Sequence, residues 1–454
     1  MQDNPSPASG SPAPTPAPAP VAPTDSASSN PSAEDLAKSL AARRASNLAL
    51  PPAPVVKEKH SPLHAILVSL LILFIIGTAG VYAYFFLYKV SSPEKPLPVA
   101  DSTPAPSSSD DAPVEPSEKF YSRLTGEEIG SEAENSSPTY CVQVPNGVDG
   151  ARDQVGLNKA KIIFEAIAEA GITRFAAIFQ NPPAVVGPIR SLRIYYLNWD
   201  LPFDCTVVHA GGASDAISAL RSSGTRELDE STTFMWRSDA YYPSGQTEYR
   251  RWNNLFTSGE FLTSFNESRG YLSSDIKSFP RLTPLAAKKN KIDAQSVEKL
   301  RIDTAATSDT NALAARVNRI TLHFGTIPNF NPVYVYNPET NSYDRSYMTG
   351  APHNAFDCTS TSDCIRVQLS PSVVIAMIVQ EKRAAYDNYH EDISSIGAGD
   401  AYIFQNGDLI LGTWEKSSAS AQIIFRDSSG NEVSLIPGQT WISAVPAYGS
   451  VEYQ

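Results

Sequence analysis

Residues 164–213, FEAIAEAGITRFAAIFQNPPAVVGPIRSLRIYYLNWDLPFDCTVVHAGGA, decide how the chain is read. The run 159–170 reads as a helix that stops at Gly171, a residue free to take the left-handed conformation that closes a helix. Residues 172–179 form a short apolar run suited to a buried strand. Pro182, Pro183, Gly187 and Pro188 break the chain, and Pro188 suits the first turn of a second helix that opens Ile189-Arg190-Ser191-Leu192-Arg193. A second strand, 205–209, ends in Ala210-Gly211-Gly212. Strands joined by a helix are usually parallel with a right-handed crossover, so this half predicts a Rossmann-like α/β domain.

Open α/β sheets place ligands beyond the carboxyl ends of their strands. That rule brings the Arg190 helix and the His209 turn to one edge. Arg190 and Arg193, three apart, share a helix face near its N-terminus. With Ser191, His209, Gly211 and Gly212 they make a candidate anion crevice, because arginine forks, unpaired helix N–H groups and a glycine turn all favour negative charge. The plainer alternative is that the arginines pair with Glu165, Glu169, Asp200 or Asp204.

Outward from this stretch the composition is uneven. The 454 residues include 36 Pro and 25 Gly, too many and too clustered for one domain. A net charge of −12 excludes a general nucleic-acid binder. Residues 1–60, rich in Ala, Pro and Ser, cannot bury enough apolar surface to offset ordering entropy and read as a disordered tail. Residues 63–88 lie in a stretch without charge between Lys59 and Lys89, long enough to cross a bilayer core of about 30 Å. Lys38, Arg43, Arg44, Lys57 and Lys59 precede this span, whereas Lys89 and Lys95 alone follow closely. The positive-inside rule then predicts a single-pass protein with a cytoplasmic N-terminus and an extracytoplasmic remainder. Residues 89–118 are a Pro/Ser/Asp-rich spacer that holds the folded part off the lipid bilayer, the chain's first partner.

The folded part divides into 120–285, the α/β region, and 302–454, joined by a basic hinge at 286–301. Beyond Ile302 period-two patterning and turns predict a mostly antiparallel β domain with its own core, giving an α+β chain overall. Asn406-Gly407 between 401–405 and 408–414 predicts a tight type I′ hairpin. All four cysteines follow the span, in a compartment that permits disulfides. Cys358 with Cys364 is the preferred pair, and Cys141 and Cys205, each opening a strand-like run, bridge adjacent strands if their β-carbons face each other.

GLNKAKIIFEAIAEAGITRFAAIF, VGPIRSLRIYYL and CTVVHAGGASDA resemble the N-terminal domain of the YerB-like family, a bacterial domain family of unknown function (number 3048). YIFQNGDLILGTWEK and GNEVSLIPGQTWISAVP resemble its C-terminal domain, in the same order. The resemblance covers about 135–450 and implies an extracytoplasmic bacterial protein, with no activity or catalytic residue attached. The resemblance implies relatives that are typically secreted or membrane-attached, some as lipoproteins; here no cysteine lies near the apolar segment, and a spanning helix is expected to substitute. Where relatives carry Pro-His-Asn before Leu, this chain has Arg251-Trp252-Asn253-Asn254-Leu255.

Signals for catalysis are sparse. His209 is the base available to Ser191 or Ser214, but no Gly-x-Ser-x-Gly elbow is present. Asp200 with Asp204, or Glu165 with Glu169 on one helix face, are the carboxylate pairs for work on wall glycan. No phosphate-binding glycine motif or metal-ligand spacing appears, so no cofactor and no metal are expected. The reading is therefore an envelope binding or scaffold module recognising an anionic group, such as a wall polymer, a lipid-linked precursor or an envelope protein, with no nucleic acid. Its alternative is a hydrolase or transferase acting on cell-wall glycan.

Overall fold

The computed structural model describes residues 118–147, 154–239, 253–288, 317–384 and 390–454, all within one compact unit, 112–454. The expected tail, the apolar stretch 63–88, the spacer to 117 and the hinge beyond 288 lie outside these residues, as does Trp252. Among the described residues no helix is long and apolar enough to cross a membrane.

The first half supplies β1 (Thr139–Pro145), β2 (Ile162–Glu169), β3 (Ile172–Gln180), β4 (Thr206–His209) and β5 (Glu227–Asp229), with helices α1 (Ile194–Asp200), α2 (Ser214–Ser222) and α3 (Gly259–Ser268). The second half supplies β6 (Arg319–His323), β7 (Pro332–Asn337), β8 (Ser342–Tyr347), β9 (Val373–Val379), β10 (Glu381–Arg383) and β11 (Glu391–Ile393). It continues with β12 (Gly397–Gln405), β13 (Asp408–Lys416), β14 (Ile424–Asp427), β15 (Thr440–Pro446) and β16 (Ser450–Tyr453). Ten strands from both halves form one sheet, in the order β14-β13-β12-β9-β15-β2-β3-β1-β4-β5. A four-stranded sheet, β8-β7-β6-β16, lies against it.

The fold is mainly β, and several expectations are corrected. Residues 162–169 are a central strand, not a helix. β2 turns back into β3 through Ala170 and Gly171, at φ 50° and 80°, and pairs with it antiparallel. Two central residues at positive φ suit a tight hairpin. The run has helical character in isolation, yet every residue from Ile162 to Ala168 is buried, which a strand covered on both faces requires. The β3-to-β4 connection is not a parallel crossover: β1 lies between them, antiparallel to β3 and parallel to β4. The Rossmann-like reading of this half therefore does not hold. Nor does the second half keep a core of its own, since β15 runs parallel to both β2 and β9 at the junction of the halves. The hairpin at Asn406-Gly407 forms as expected, both residues at positive φ.

Alternation along the central strands assigns the two faces. Phe164, Ile442 and Ile375 join Tyr195, Tyr196 and Trp199 of α1 in one core layer, with Phe164 stacked on Trp199 at 5.4 Å. Ile163, Trp441 and Val374 face the other way, toward Ile320, Leu322, Tyr334 and Tyr343 of the smaller sheet.

Glu165 shares this second face, and it is fully buried. Arg345 of β8 donates to both of its oxygens at 2.9 Å, Trp441 donates at 2.9 Å and Thr173 at 3.0 Å. The guanidinium lies 4.4 Å from the Trp441 ring centroid, donates to Tyr334 at 3.1 Å and hydrogen-bonds Nδ1 of His353. An arginine only donates, so His353 accepts at Nδ1 and donates from Nε2 to Gln154 at 3.0 Å.

Both expected disulfides are present. Cys141 of β1 joins Cys205 at the start of the adjacent β4, and Cys358 joins Cys364 directly opposite it in the hairpin Asn354–Cys358/Cys364–Gln368.

These contacts yield two stability predictions. Arg345→Met strands Glu165 as a buried, uncompensated charge and should cost about 3–5 kcal/mol in urea unfolding; an unchanged midpoint would show that the pair is dispensable. For the disulfides, spans of 64 and 6 residues predict losses of about 4 and 2 kcal/mol for the respective Cys→Ser pairs, from loop-closure entropy. Equal losses would contradict that entropic account.

Candidate functional site

The two segments that carry the predicted crevice residues are adjacent, by a route other than a crossover. Residues 190–192 run extended beside 210–213: Ala210 N donates to Arg190 O at 3.0 Å, and Leu192 N donates to Gly211 O at 3.0 Å. Arg190 and Arg193 precede α1 rather than sitting on a helix, and Arg193 occupies its N-cap position. Arg193 is 6 % exposed and donates to Glu169 at 2.6 Å, while Arg174 donates to the same carboxylate at 2.7 Å and to Ser191 O at 2.7 Å. Burial pushes Glu169 up, but Arg174, Arg193 and Arg190 outweigh it and hold the carboxyl below its usual range. The alternative role of an arginine bracing a glutamate is thus the one Arg193 performs.

His209 also turns inward. Its Nδ1 donates to Gly211 O at 2.9 Å, and its Nε2 lies 3.3 Å from Glu227. Burial lowers its pKa against the opposing pull of the Gly211 carbonyl and Glu227, so its surroundings disfavour the charged form. Gly212 serves packing: a Cβ there would meet Leu192 O at 3.0 Å and Ile217 Cδ1 at 2.9 Å.

The catalytic pairings expected from spacing do not form. His209 bonds Gly211 rather than Ser191 or Ser214. Glu165 and Glu169 serve different arginines. Asp200 is fully buried against Gln143 at 2.9 Å, with burial holding it well above the carboxylate range, whereas Asp204 pairs with Arg226 at 3.1 Å. Among the described residues no cluster of His, Cys, Asp and Glu could hold a metal.

A cleft of about 680 Å³ lies elsewhere, between the β2–β3 turn, the loop after β6, the β10–β11 hairpin and the β15–β16 turn. Its walls include Gly171, His323, Ile327, Glu381, Glu391 and Tyr448. The hairpin register pairs Glu381 with Ile393 and Arg383 with Glu391, so both glutamates occupy one face. Tyr448 donates its hydroxyl to Glu381 at 2.9 Å. Burial pushes Glu381 up to about 7, with Tyr448 opposing and Glu391 reinforcing the shift. Burial also raises Glu391, against Arg383 and the Ala170 N–H that binds its carboxylate. Other polar side chains of the lining have partners nearby: Lys382 lies 3.4 Å from Asp392, and His323 lies 3.2 Å from Glu452. Gly171 permits the close approach of the far wall, since a Cβ there would meet Ile327 at 3.3 Å.

Sequence reasoning misses this site. Its visible signal is the dense titratable run EKRAAYDNYHED at 381–392, but nothing local to that run shows that Tyr448 meets it.

Residues 124–272 match the family described as "Protein of unknown function (DUF3048) N-terminal domain", and residues 320–442 match its C-terminal domain. The chain belongs to this family. It is 27 % identical over 340 residues to "Putative lipoprotein YerB" of Bacillus subtilis (strain 168), covering 74 % of this chain and 89 % of that protein. A crystal structure of YerB from Bacillus subtilis superposes with a TM-score of 0.55 at 23 % identity, covering 74 % of this chain and all of that one, a likeness of fold.

Glu381 provides a pH-dependent prediction. Its folded pKa is raised, so between its ordinary value of 4.5 and about 7 the folded state binds more protons than the unfolded state. Stability contributed by the neutral carboxyl is therefore lost as pH rises through that window. Glu381→Gln should stabilise the protein at pH 8, by on the order of 1–2 kcal/mol, and much less at pH 5. Thermal melts of both proteins at the two pH values check this; equal differences at both would remove Glu381 as the titrating group.

Proposed function

We propose that this chain is an extracytoplasmic binding module, held to a bacterial membrane by residues 63–88, with the cleft at β10–β11 as its ligand site. The cleft carries the reading: it is a cavity of about 680 Å³ with two carboxyls of raised pKa on one hairpin face. Concave sites of about 300–1,000 Å³ with a few convergent polar groups are the usual form of small-ligand sites. Three observations support the location: the charge-free stretch between Lys59 and Lys89, the basic residues before it, and two disulfides in the folded part. The relative named a lipoprotein agrees with membrane attachment. The crevice at Arg190, Ser191, Arg193, His209, Gly211 and Gly212 is the weaker receptacle for an anion, because Glu169 already occupies Arg174 and Arg193.

A second reading, hydrolysis or transfer on wall glycan, is favoured by one observation. Glu381, at about 7, is able to hold a proton near neutrality beside a second carboxyl. One experiment addresses both readings. Full-length protein in detergent is incubated with purified wall material, alongside a Tyr448→Ala/Glu391→Gln variant. Retention by the wild type and its loss in the variant support the binding module; released fragments point to the enzyme. Equal retention by both proteins would remove the cleft. Orientation is checked separately: protease added to wall-stripped cells should remove the part after Lys89 and spare residues 1–60.

A further inference from the structure

If the cleft is the ligand site, as proposed above, its charge distribution and the exposed aromatic ring of Tyr448 narrow the class of ligand. Tyr448 is 64 % exposed, yet its hydroxyl is tied to Glu381 at 2.9 Å. That hydrogen bond fixes the ring direction, so the ordering cost of a contact face is already met before a ligand arrives. Ile327, 39 % exposed, adds apolar surface to the lining. Between them Glu381 and Glu391 line the cleft, Glu381 with one oxygen bonded to Tyr448 and the other buried without a partner among the described residues.

An anionic ligand meets acidic neighbours beside each described cation of the lining, because Lys382 lies 3.4 Å from Asp392, His323 lies 3.2 Å from Glu452 and Arg383 is paired in register with Glu391. A cationic ligand gains less than two glutamates suggest, since Glu381 is half-neutral near pH 7 and Arg383 stands beside Glu391. A neutral ligand with many hydroxyls fits the set. Hydroxyls donate to carboxylates without requiring net charge, and the C–H face of a sugar ring lies against an aromatic ring.

We propose that the cleft binds a neutral saccharide chain, with one sugar ring stacked on Tyr448 and hydroxyls of the chain donating to Glu381 and Glu391. Tyr448 is then the specificity residue, acting through its ring, and its hydroxyl is a positioning group acting through Glu381.

The test is calorimetric titration of full-length protein in detergent with three probes: a neutral N-acetylglucosamine tetramer, the cationic glucosamine tetramer and inorganic polyphosphate. The neutral tetramer should bind in preference to both others. Tyr448→Ala should weaken it at least tenfold, and Tyr448→Phe, which keeps the ring and loses the tether, about threefold. Tyr448 is exposed, so both variants should keep the wild-type melting temperature to within a few degrees. Preference for the cationic tetramer or for polyphosphate overturns the saccharide assignment. Failure of all three probes does the same if Tyr448→Ala/Glu391→Gln still abolishes retention on wall material, and the binding-module reading then stands. Binding of the neutral tetramer that both Tyr448 variants leave unchanged overturns the site itself.

Discussion

The pairing of Glu165 with Arg345 is the constraint around which the two halves of the chain are arranged. The partners are 180 residues apart, both fully buried, and joined by two hydrogen bonds of 2.9 Å. Trp441 completes the carboxylate's shell, so β2, β8 and β15 meet at a single charge. Such a pair adds little net stability over a well-packed apolar substitute, because desolvating both ions consumes most of the attraction. Its consequence is selection. Sliding β2 by one residue would turn Glu165 to the α1 face, among Trp199, Tyr195 and Tyr196, where its arginine is absent.

The candidate cleft depends on the same register. Ala170 and Gly171 end β2 where Glu391 accepts from the Ala170 N–H, and Glu169 beside them binds Arg174 and Arg193. The buried ion pair and the cleft are thus successive features along one strand. The first is closed to water and fully satisfied; the second opens to a cavity and holds its carboxyls away from ordinary ionisation. Polar groups that are buried and completely bonded build structure, whereas those at a cleft with raised pKa values are candidates for chemistry.

What the sequence discloses depends on the range of the interactions. Asn406-Gly407 and both disulfides are legible, because turn residues and cysteines state their requirements locally. Residues 162–169 are not, since a strand covered on both faces loses the alternation that marks a strand, and its one glutamate is answered from β8. Residues 190–192 and 210–213 lie side by side, but whether Arg193 meets a ligand or Glu169 depends on β2 and β3 being a hairpin. The cleft is invisible for a similar reason: Glu381 acquires its character from burial and from Tyr448, 67 residues away.

Strand order also sets when this protein can finish folding. β15, residues 440–446, lies between β2 and β9 in the middle of the large sheet, although it is nearly the last segment to be made. As the chain emerges from a ribosome or a translocation pore, β2 waits with one edge unpaired, and Glu165 waits for Trp441. Contacts of such sequence separation close slowly, and an uncovered apolar edge invites association with other chains. The N-terminal half of this chain therefore cannot complete its sheet ahead of the C-terminal half. A chain cut short before Thr440 loses the strand that joins its halves, however much of each half remains.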